Sequence, residues 1–138
     1  MNNYKLVMLF LALAFISSCS KEEPAVESLL IGTWNGDEFY EDGVISDMNA
    51  IFKGFTSEFL ADGTGEDITF MGPQPFTWSY DASTEKLTII TEEVILDEIF
   101  SIAADTVVAN ITKLDDTSLW YTHDDDGVAI EERYLKSN

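Results

Sequence analysis

The sequence has 138 residues, in which 26 Asp and Glu side chains outnumber 7 Lys and Arg, so that the formal net charge is −19. This length supports a single domain with one core. The acidic balance argues against nucleic acid or anionic lipid as a partner, because phosphates are held by clustered Lys or Arg. Intrinsic disorder does not fit either, since 12% of the residues are aromatic.

The amino terminus has the pattern of an export signal. Lys5 precedes an apolar run from Leu6 to Ile16. A helix that crosses a bilayer needs roughly 20 apolar residues, so this run is too short for a membrane anchor but fits a secretory signal. Residues 1–18 are therefore predicted to be a signal peptide.

The next segment, Ile16-Ser17-Ser18-Cys19, resembles the lipobox of bacterial lipoprotein precursors. The resemblance implies that Cys19 is joined to diacylglycerol and that its amine receives a fatty acid such as palmitate, which makes the membrane a partner. Several acyl chains on one residue would anchor the protein firmly. Because Cys19 is the only cysteine, an internal disulfide is ruled out. The alternatives are a cleaved signal with an incidental cysteine and a buried free thiol.

Residues 19–28 are predicted to form the acylated cysteine and a flexible tether. Residues 20–24, Ser-Lys-Glu-Glu-Pro, resemble the acidic export signals of surface lipoproteins of Bacteroidota, and a solvated linker is the alternative. Ser20 stands where inner-membrane lipoproteins usually carry aspartate. The resemblance therefore implies the outer membrane, with either periplasmic or cell-surface exposure.

From Ile31 onward, short strand-like runs alternate with turn signals, a spacing typical of an all-β sandwich or barrel. The predicted strands are 32–40, 53–60, 66–71, 76–80, 86–91, 98–103, 106–114, 118–123 and 128–136, with helical turns at 27–30 and 47–52. The clearest strand places Phe76, Trp78 and Tyr80 on one face, because side chains alternate along a strand.

Turn residues separate these strands. Asp42-Gly43, Asp62-Gly63 and Asp126-Gly127 are hairpin-type pairs. Residues 72–75, Gly-Pro-Gln-Pro, are predicted to be a stiff connection, since proline cannot donate to a sheet ladder. About eight antiparallel strands in sequential order predict an up-and-down meander that closes into a barrel, because closure removes exposed edges. A sandwich is the alternative.

The segment Leu30-Ile31-Gly32-Thr33-Trp34 resembles the first strand of lipocalin-like domains, which begins Gly-x-Trp. The likeness continues at 59–65, 76–80 and 111–119, in the order found in small lipocalin-like lipoproteins of Bacteroidota. It implies that residues 29–138 form an open-mouthed barrel, with Gly32 at the start of the first strand and Trp34 at the closed end. A late arginine covers the tryptophan in lipocalins, so Arg133 is predicted to cover Trp34. A surface Arg133 paired with Glu131 or Glu132 is the alternative.

Catalytic, cofactor and metal sites find little support. His123 is the single histidine, and a zinc site needs several His or Cys ligands. The following residues 124–126, all Asp, do not have EF-hand spacing, so a charged hairpin tip is predicted. Acid pairs such as Glu92-Glu93 are too common here to indicate glycoside cleavage. We therefore predict no enzyme, cofactor or metal, unless two carboxylates or a His–Ser pair converge in a cleft.

Small-molecule binding is the sharper hypothesis, because a barrel of about eight strands either fills with its own side chains or holds one small ligand. The predicted wall is the aromatic row Phe76, Trp78 and Tyr80, and the further candidates are Phe55, Phe59 and Tyr121, with core packing as the alternative for each. We expect an outer-membrane-anchored barrel that binds a small apolar or amphipathic ligand. The alternative is a surface interaction module, such as an inhibitor or adhesion subunit, without an internal ligand.

Overall fold

The computed structural model describes residues 25–95 and 101–138. Its helices are α1 (Val26–Leu30) and α2 (Asn49–Phe52). Its strands are β1 (Gly32–Glu41), β2 (Val44–Ile45), β3 (Thr56–Phe59), β4 (Thr64–Thr69), β5 (Gly72–Asp81), β6 (Lys86–Thr91), β7 (Val94–Ile95), β8 (Ser101–Ile102), β9 (Asp105–Leu114), β10 (Ser118–Asp125) and β11 (Val128–Lys136). The predicted signal peptide, Cys19 and the tether up to residue 24 lie outside the described residues, as do residues 98–100 of the predicted strand 98–103.

Eight of these strands close into an antiparallel barrel in the order β1, β3, β4, β5, β6, β9, β10 and β11. The seam is the pairing of β11 with β1, which runs from Trp34–Lys136 to Glu41–Ile130. The predicted all-β meander that closes into a barrel is therefore confirmed, and the sandwich is wrong. β2 adds to β1 beyond the end of β3, and β7 pairs with β8 in a separate ladder.

Two hairpin turns use the predicted Asp-Gly pairs. Asp42 has φ 48° and Gly43 has φ 77°, and Asp126 and Gly127 have φ 51° and 88°. Two successive positive φ angles define a type I′ turn, whose twist matches that of the flanking strands. The sequence 124–127 is thus the tip of the β10–β11 hairpin, as predicted.

The prediction that residues 72–75 form a connection is wrong, because they are the first part of β5. The backbone N–H of Trp78 donates to the Gly63 carbonyl, so alternation turns the nitrogens of Pro73 and Pro75 away from β4. The pairing of β5 with β6 ends at Phe76–Thr91, before it reaches either proline. The prolines therefore occupy an edge where no ladder hydrogen bond is lost.

One end of the barrel is closed by a packed core. Leu30 of α1 and Trp34 of β1 are fully buried, together with Phe59, Leu87 and Leu119. The indole Nε1–H of Trp34 donates to the Leu30 carbonyl at 2.8 Å, which fixes α1 across this end. Trp34 thus belongs to the packed core at this end of the barrel.

The predicted contact between Arg133 and Trp34 is wrong, because Lys136 takes that place. The Lys136 ammonium lies 4.7 Å from the centre of the Trp34 ring and donates to the carbonyls of Leu29 and Ile31 at 3.2 and 3.1 Å. It stands directly opposite Trp34 in the β1–β11 register. Side chains alternate along β11, so an even-numbered residue reaches this end of the interior and Arg133 cannot.

Arg133 lies instead on the outer face of the barrel, between two aromatic rings. Its guanidinium carbon is 4.5 Å from the centre of the Tyr40 ring and 4.2 Å from that of Trp120. Its nitrogens contact Glu131 at 2.6 Å and Glu38 at 2.7 Å. The alternative of a surface arginine paired with Glu131 is therefore correct.

The opposite end of the barrel is the mouth, where α2 lies against β1. A Cβ atom at Gly36 would stand 2.2 Å from the Phe52 carbonyl oxygen, so only glycine lets α2 approach this closely. The Gly36 N–H also donates to the Phe55 carbonyl at 2.9 Å. A register shift between Gly36 and Glu38 bends β1 at the same point. The segment from α2 to Phe55 is thereby held over the mouth.

Candidate ligand cavity

A cavity of about 220 Å³ lies inside the barrel between the mouth and the packed core. Its lining residues lie on the strands around the interior and on the α2 segment, and most of them point inward. They are Phe39, Phe52, Phe55, Thr56, Ser57, Asp67, Thr69, Gln74, Ile89, Thr91, Val107, Tyr121, Glu132 and Tyr134.

Of the six aromatic residues predicted to bind a ligand, Phe55 and Tyr121 line this cavity. Phe59, Phe76 and Trp78 belong to the core below it, and Tyr80 packs against that core. Ligand contact by any of the six stays a prediction, but the structure brings only two of them to the cavity.

Core packing explains the remaining aromatic side chains. The Phe59 ring centre lies 5.2 Å from that of Phe76 and 5.6 Å from that of Trp78, both in edge-to-face geometry. The Trp78 indole N–H is shared by the carbonyls of Leu60 and Thr64, each at 3.1 Å. The predicted common inward face of Phe76, Trp78 and Tyr80 is correct, and its two buried members mainly stabilise the fold.

One wall of the cavity is apolar. Phe39, Phe52 and Phe55 face it from the mouth, and Ile89 and Val107 face it from the β6–β9 side. The Phe52 ring packs against Phe39 at 5.3 Å and against Tyr134 at 5.0 Å. This wall offers a surface for the apolar part of a small molecule.

The other wall is a hydrogen-bonded group centred on Glu132. Its Oε2 accepts the hydroxyls of Tyr121 at 3.0 Å and of Tyr134 at 2.5 Å, and its Oε1 lies 3.1 Å from His123 Nε2. The two tyrosine rings are stacked, with centres 5.7 Å apart. Burial raises the pKa of both Tyr121 and Tyr134, so they remain neutral hydrogen-bond donors at physiological pH.

His123 lies behind Glu132 and shares a hydrogen bond with it. The hydrogen bond to Glu132 raises the pKa of His123 above its usual value, although burial acts in the opposite direction. A protonated His123 offsets part of the Glu132 charge. The single histidine thus has a structural role beside the cavity that its position near the hairpin tip did not reveal.

Asp67 is the second carboxylate of the cavity. The Ser57 hydroxyl donates to its Oδ1. The pKa of Asp67 is raised to about 6, because burial and the Glu132 charge raise it more than the Ser57 hydrogen bond lowers it. Asp67 therefore changes charge within the pH range in which cells and their surroundings vary.

The cavity carries a negative potential. Among the described residues that line it, Asp67 and Glu132 are the charged ones, and there is no Lys or Arg. A cavity of this kind accepts hydrogen bonds readily and donates few, apart from the tyrosine and Ser or Thr hydroxyls. It is suited to a ligand with an apolar body and a hydrogen-bond-donating end.

Apolar side chains continue from the cavity to the outside of the mouth. Phe70 is 70% exposed and stacks on Phe55 with ring centres 6.3 Å apart. A smaller recess of about 130 Å³ opens between Phe39, Phe52, Phe55 and the exposed Met48. The rim thus offers an apolar entrance to the interior.

Sequence reasoning missed Asp67, Glu132 and Tyr134. A signal for them existed. Asp67 lies two residues after the inward Gly65 in β4 and so faces the same side, and Glu132 lies on the same face of β11 as the buried Ile130 and Tyr134. An acid at an inward position of a barrel strand is unusual and marks a polar site.

The described part of the chain shows neither a metal-site cluster nor a membrane-spanning helix. In residues 25–95 and 101–138, no three His, Cys, Asp or Glu side chains gather as a metal site would require. Neither helix found there has the length and apolar character to cross a bilayer.

The chain is similar in structure to a DUF4847 family protein. The likeness is to a crystal structure from Bacteroides vulgatus ATCC 8482, with a TM-score of 0.56 and 18% sequence identity over 83% of this chain and 100% of that chain. At this level of identity the likeness shows the fold alone. No protein-family model matches the sequence, and a comparison with curated proteins found no relative.

Proposed function

We propose that this protein is a lipid-anchored barrel of the outer membrane that binds a small amphipathic molecule in its interior. The observation that carries the proposal is the cavity with one aromatic and apolar wall and one wall of buried hydrogen-bonding groups. Pockets that hold small molecules combine these two features. The anchor rests on the lipobox ending at Cys19, and the fold likeness to a Bacteroides protein agrees with such a source.

The volume of the cavity limits the ligand. An apolar cavity of about 150 Å³ binds benzene. A cavity of about 220 Å³ therefore holds a molecule somewhat larger than benzene, such as one ring with a short polar side chain. A long acyl chain would have to extend through the mouth.

The direction of the chain supports access from water. α1 leads into the closed end, and the mouth lies at the other end of β1. A tether from Cys19 to Ala25 would place the closed end toward the lipid. The mouth would then face the aqueous compartment and admit a dissolved ligand.

A surface interaction module is the second candidate. It is favoured by exposed apolar side chains on the elements around the mouth, which are Val44, Ile45, Met48, Phe70 and Met71. The internal cavity favours binding of a small molecule inside the barrel, because a module that works through its rim does not need an internal cavity lined by buried polar groups.

Hydrolysis is weaker, although two carboxylates do line one cavity. Glycoside cleavage needs a pair of carboxyl groups that both act on the substrate. Here both oxygens of Glu132 are already engaged by Tyr121, Tyr134 and His123. Release of nitrophenol from nitrophenyl glycosides by the protein, lost in Glu132→Gln, would favour hydrolysis over binding.

Filling the cavity with a larger side chain tests the proposal. Val107 lines it, whereas its neighbour Val108 is 51% exposed on the outer face of the same strand. We expect Val107→Phe to abolish the shifts that phenylethanol causes in the ring NMR signals of Tyr121 and Tyr134, and Val108→Phe to leave them unchanged. Native mass spectrometry of protein taken from its own membrane should show a small retained molecule that Val107→Phe loses. Equal behaviour of the two variants would contradict internal binding.

A further inference from the structure

We infer that the ligand of this cavity is a small cation, a primary or secondary ammonium group on a short aromatic or alkyl body. The inference rests on the proposed function and deepens it, since it names the chemical class that the cavity selects. It is carried by the geometry of two carboxylates on the wall of a cavity whose lining, among the described residues, includes no Lys or Arg.

Asp67 is incompletely paired in the cavity. Its Oδ1 accepts the Ser57 hydroxyl, and within the described part of the chain no Lys or Arg side chain forms an ion pair with it. A carboxylate withdrawn from water is costly unless it is both hydrogen-bonded and paired with a charge. A ligand ammonium that enters the cavity would supply the missing charge.

Glu132 has more hydrogen-bond partners than Asp67. Three side chains contact its two oxygens, and a carboxylate has about four lone-pair sites. One site therefore remains for a ligand. Asp67 is the main anchor of an ammonium group, and Glu132 is a second acceptor that the two tyrosines and His123 hold in place.

Aromatic rings surround the two carboxylates in the cavity. Phe39, Phe52 and Phe55 line the same cavity, and Tyr134 stands edge-on to Phe52 at 5.0 Å. Ring faces attract ammonium groups and also cover the apolar body of a ligand. Carboxylates and aromatic rings together are the groups that favour an aryl- or alkylammonium ion over a neutral molecule of the same shape.

Other ligand classes fit the same walls less well. An anion would meet two carboxylates and no Lys or Arg among the described lining residues. A neutral alcohol can donate one hydrogen bond, but hydrogen bonds to charged groups are stronger when the donor is also charged. The cavity therefore discriminates by charge more than by shape.

This charge pairing makes binding depend on pH. The groups that face Asp67 are Glu132, with His123 behind it, and the neutral tyrosines Tyr121 and Tyr134. The pKa of Asp67 is about 6 in the empty protein, so below that pH the carboxyl carries a proton and the ammonium loses its partner. Amine affinity should fall as the pH decreases from 7 to 5, and alcohol affinity should not.

The experiment compares three ligands of nearly equal size, phenylethylamine, phenylethanol and phenylacetate. Each is titrated calorimetrically into the full acylated protein in neutral detergent at pH 7.5 and physiological salt, which screens the acidic exterior. We expect the amine to bind about tenfold or more tightly than the alcohol, which is the effect of one charge-assisted hydrogen bond, and phenylacetate to bind least.

Two variants locate the preference, with one matched control. Asp67→Asn should lower amine affinity about tenfold and leave alcohol affinity unchanged, and Glu132→Gln should act in the same direction with a smaller effect. Glu66→Gln removes the same charge from the exposed neighbour of Asp67 in β4, and it should retain the full preference.

The outcomes separate the two proposals. If the alcohol binds as tightly as the amine, or if the preference survives in Asp67→Asn, the inference is overturned and internal binding stands. If none of the three ligands binds and the NMR and mass-spectrometric tests of Val107→Phe also fail, both proposals are overturned.

Discussion

The position of Lys136 along β11 makes it the cation that covers Trp34 at the closed end of the barrel. A lysine and an arginine lie three residues apart in β11, and alternation sends Lys136 to Trp34 and Arg133 to the outside. A cation does cover the ring of Trp34. The residue that covers it is Lys136 and not Arg133, because strand register, and not side-chain type, decides which residues point into the barrel.

We expect Lys136→Ala to lower the free energy of unfolding by about 1–2 kcal/mol. The change removes a cation–π contact with a buried ring and two hydrogen bonds to the carbonyls that end α1. Urea unfolding measures the effect, and Lys53→Ala, at an exposed position, is the control. A loss no larger than that of the control would show that Lys136 does not hold the closed end.

At the scale of single elements, β4 contains a position where only glycine fits. A Cβ atom at Gly65 would lie 2.3 Å from the Phe76 ring and 2.4 Å from the Glu58 carbonyl oxygen. Gly65 is directly opposite Phe76 in the β4–β5 ladder, so the ring occupies the space that the glycine leaves. β4 can therefore approach the core closely enough to bring Asp67 to the cavity.

Gly65→Ala should destabilise the protein by about 2–3 kcal/mol, because overpacking forces the Phe76 ring or the β3 backbone to move. Thermal unfolding followed by circular dichroism measures the change. Gly54→Ala is the matched control, since its Cβ would meet only the Ile51 carbonyl, at 3.3 Å. Equal effects of the two substitutions would contradict this account of β4.

Three hairpins at the closed end share one turn chemistry. In each, an aspartate accepts the backbone N–H and the hydroxyl of the residue two positions later, in the pairs Asp62–Thr64, Asp81–Ser83 and Asp115–Thr117. These hydrogen bonds lower the pKa of each aspartate, that of Asp115 to about 2. The local sequence Asp-x-Ser/Thr is sufficient to form such a turn wherever the chain must reverse.

For the whole molecule, these pKa changes predict greatest stability between about pH 4 and 5. The raised pKa of Asp67 favours folding at low pH, and this contribution is lost as the pH rises from about 4 to 6. The raised pKa of His123 likewise favours folding below its unfolded pKa, with loss as the pH rises through its folded pKa. The turn aspartates act oppositely, since their stabilisation is lost as the pH falls below about 4.

Urea unfolding at pH 5 and pH 8 measures this dependence. We expect lower stability at pH 8, with Asp67 responsible for roughly 1 kcal/mol of the difference, given its pKa of about 6. Asp67→Asn should remove that part, and Glu66→Gln should not. A protein that is more stable at pH 8 than at pH 5 would show that the buried carboxylate does not control the profile.

Local patterns were sufficient for most of the fold. Asp126-Gly127 set its hairpin by backbone conformation alone, and alternation placed Phe76 and Trp78 inside. The prediction for the two prolines of β5 is wrong, because the sequence does not show that their side of the strand is an unpaired edge. Among the site residues, Phe55 and Tyr121 are predicted as candidate ligand contacts, but their position beside the cavity depends on where α2 and β10 lie in the closed barrel.

The sequence by itself determined most of the strand pattern and the turns, because each depends on neighbours within a few residues, and its composition fixed the negative charge. Only the tertiary structure decided which cation meets Trp34 and which acids share the cavity. Asp67 and Glu132 are far apart in the chain, and their common wall exists because the closing pairing of β11 with β1 completes the barrel. Register across paired strands is a long-range property, so a local pattern could not place them together.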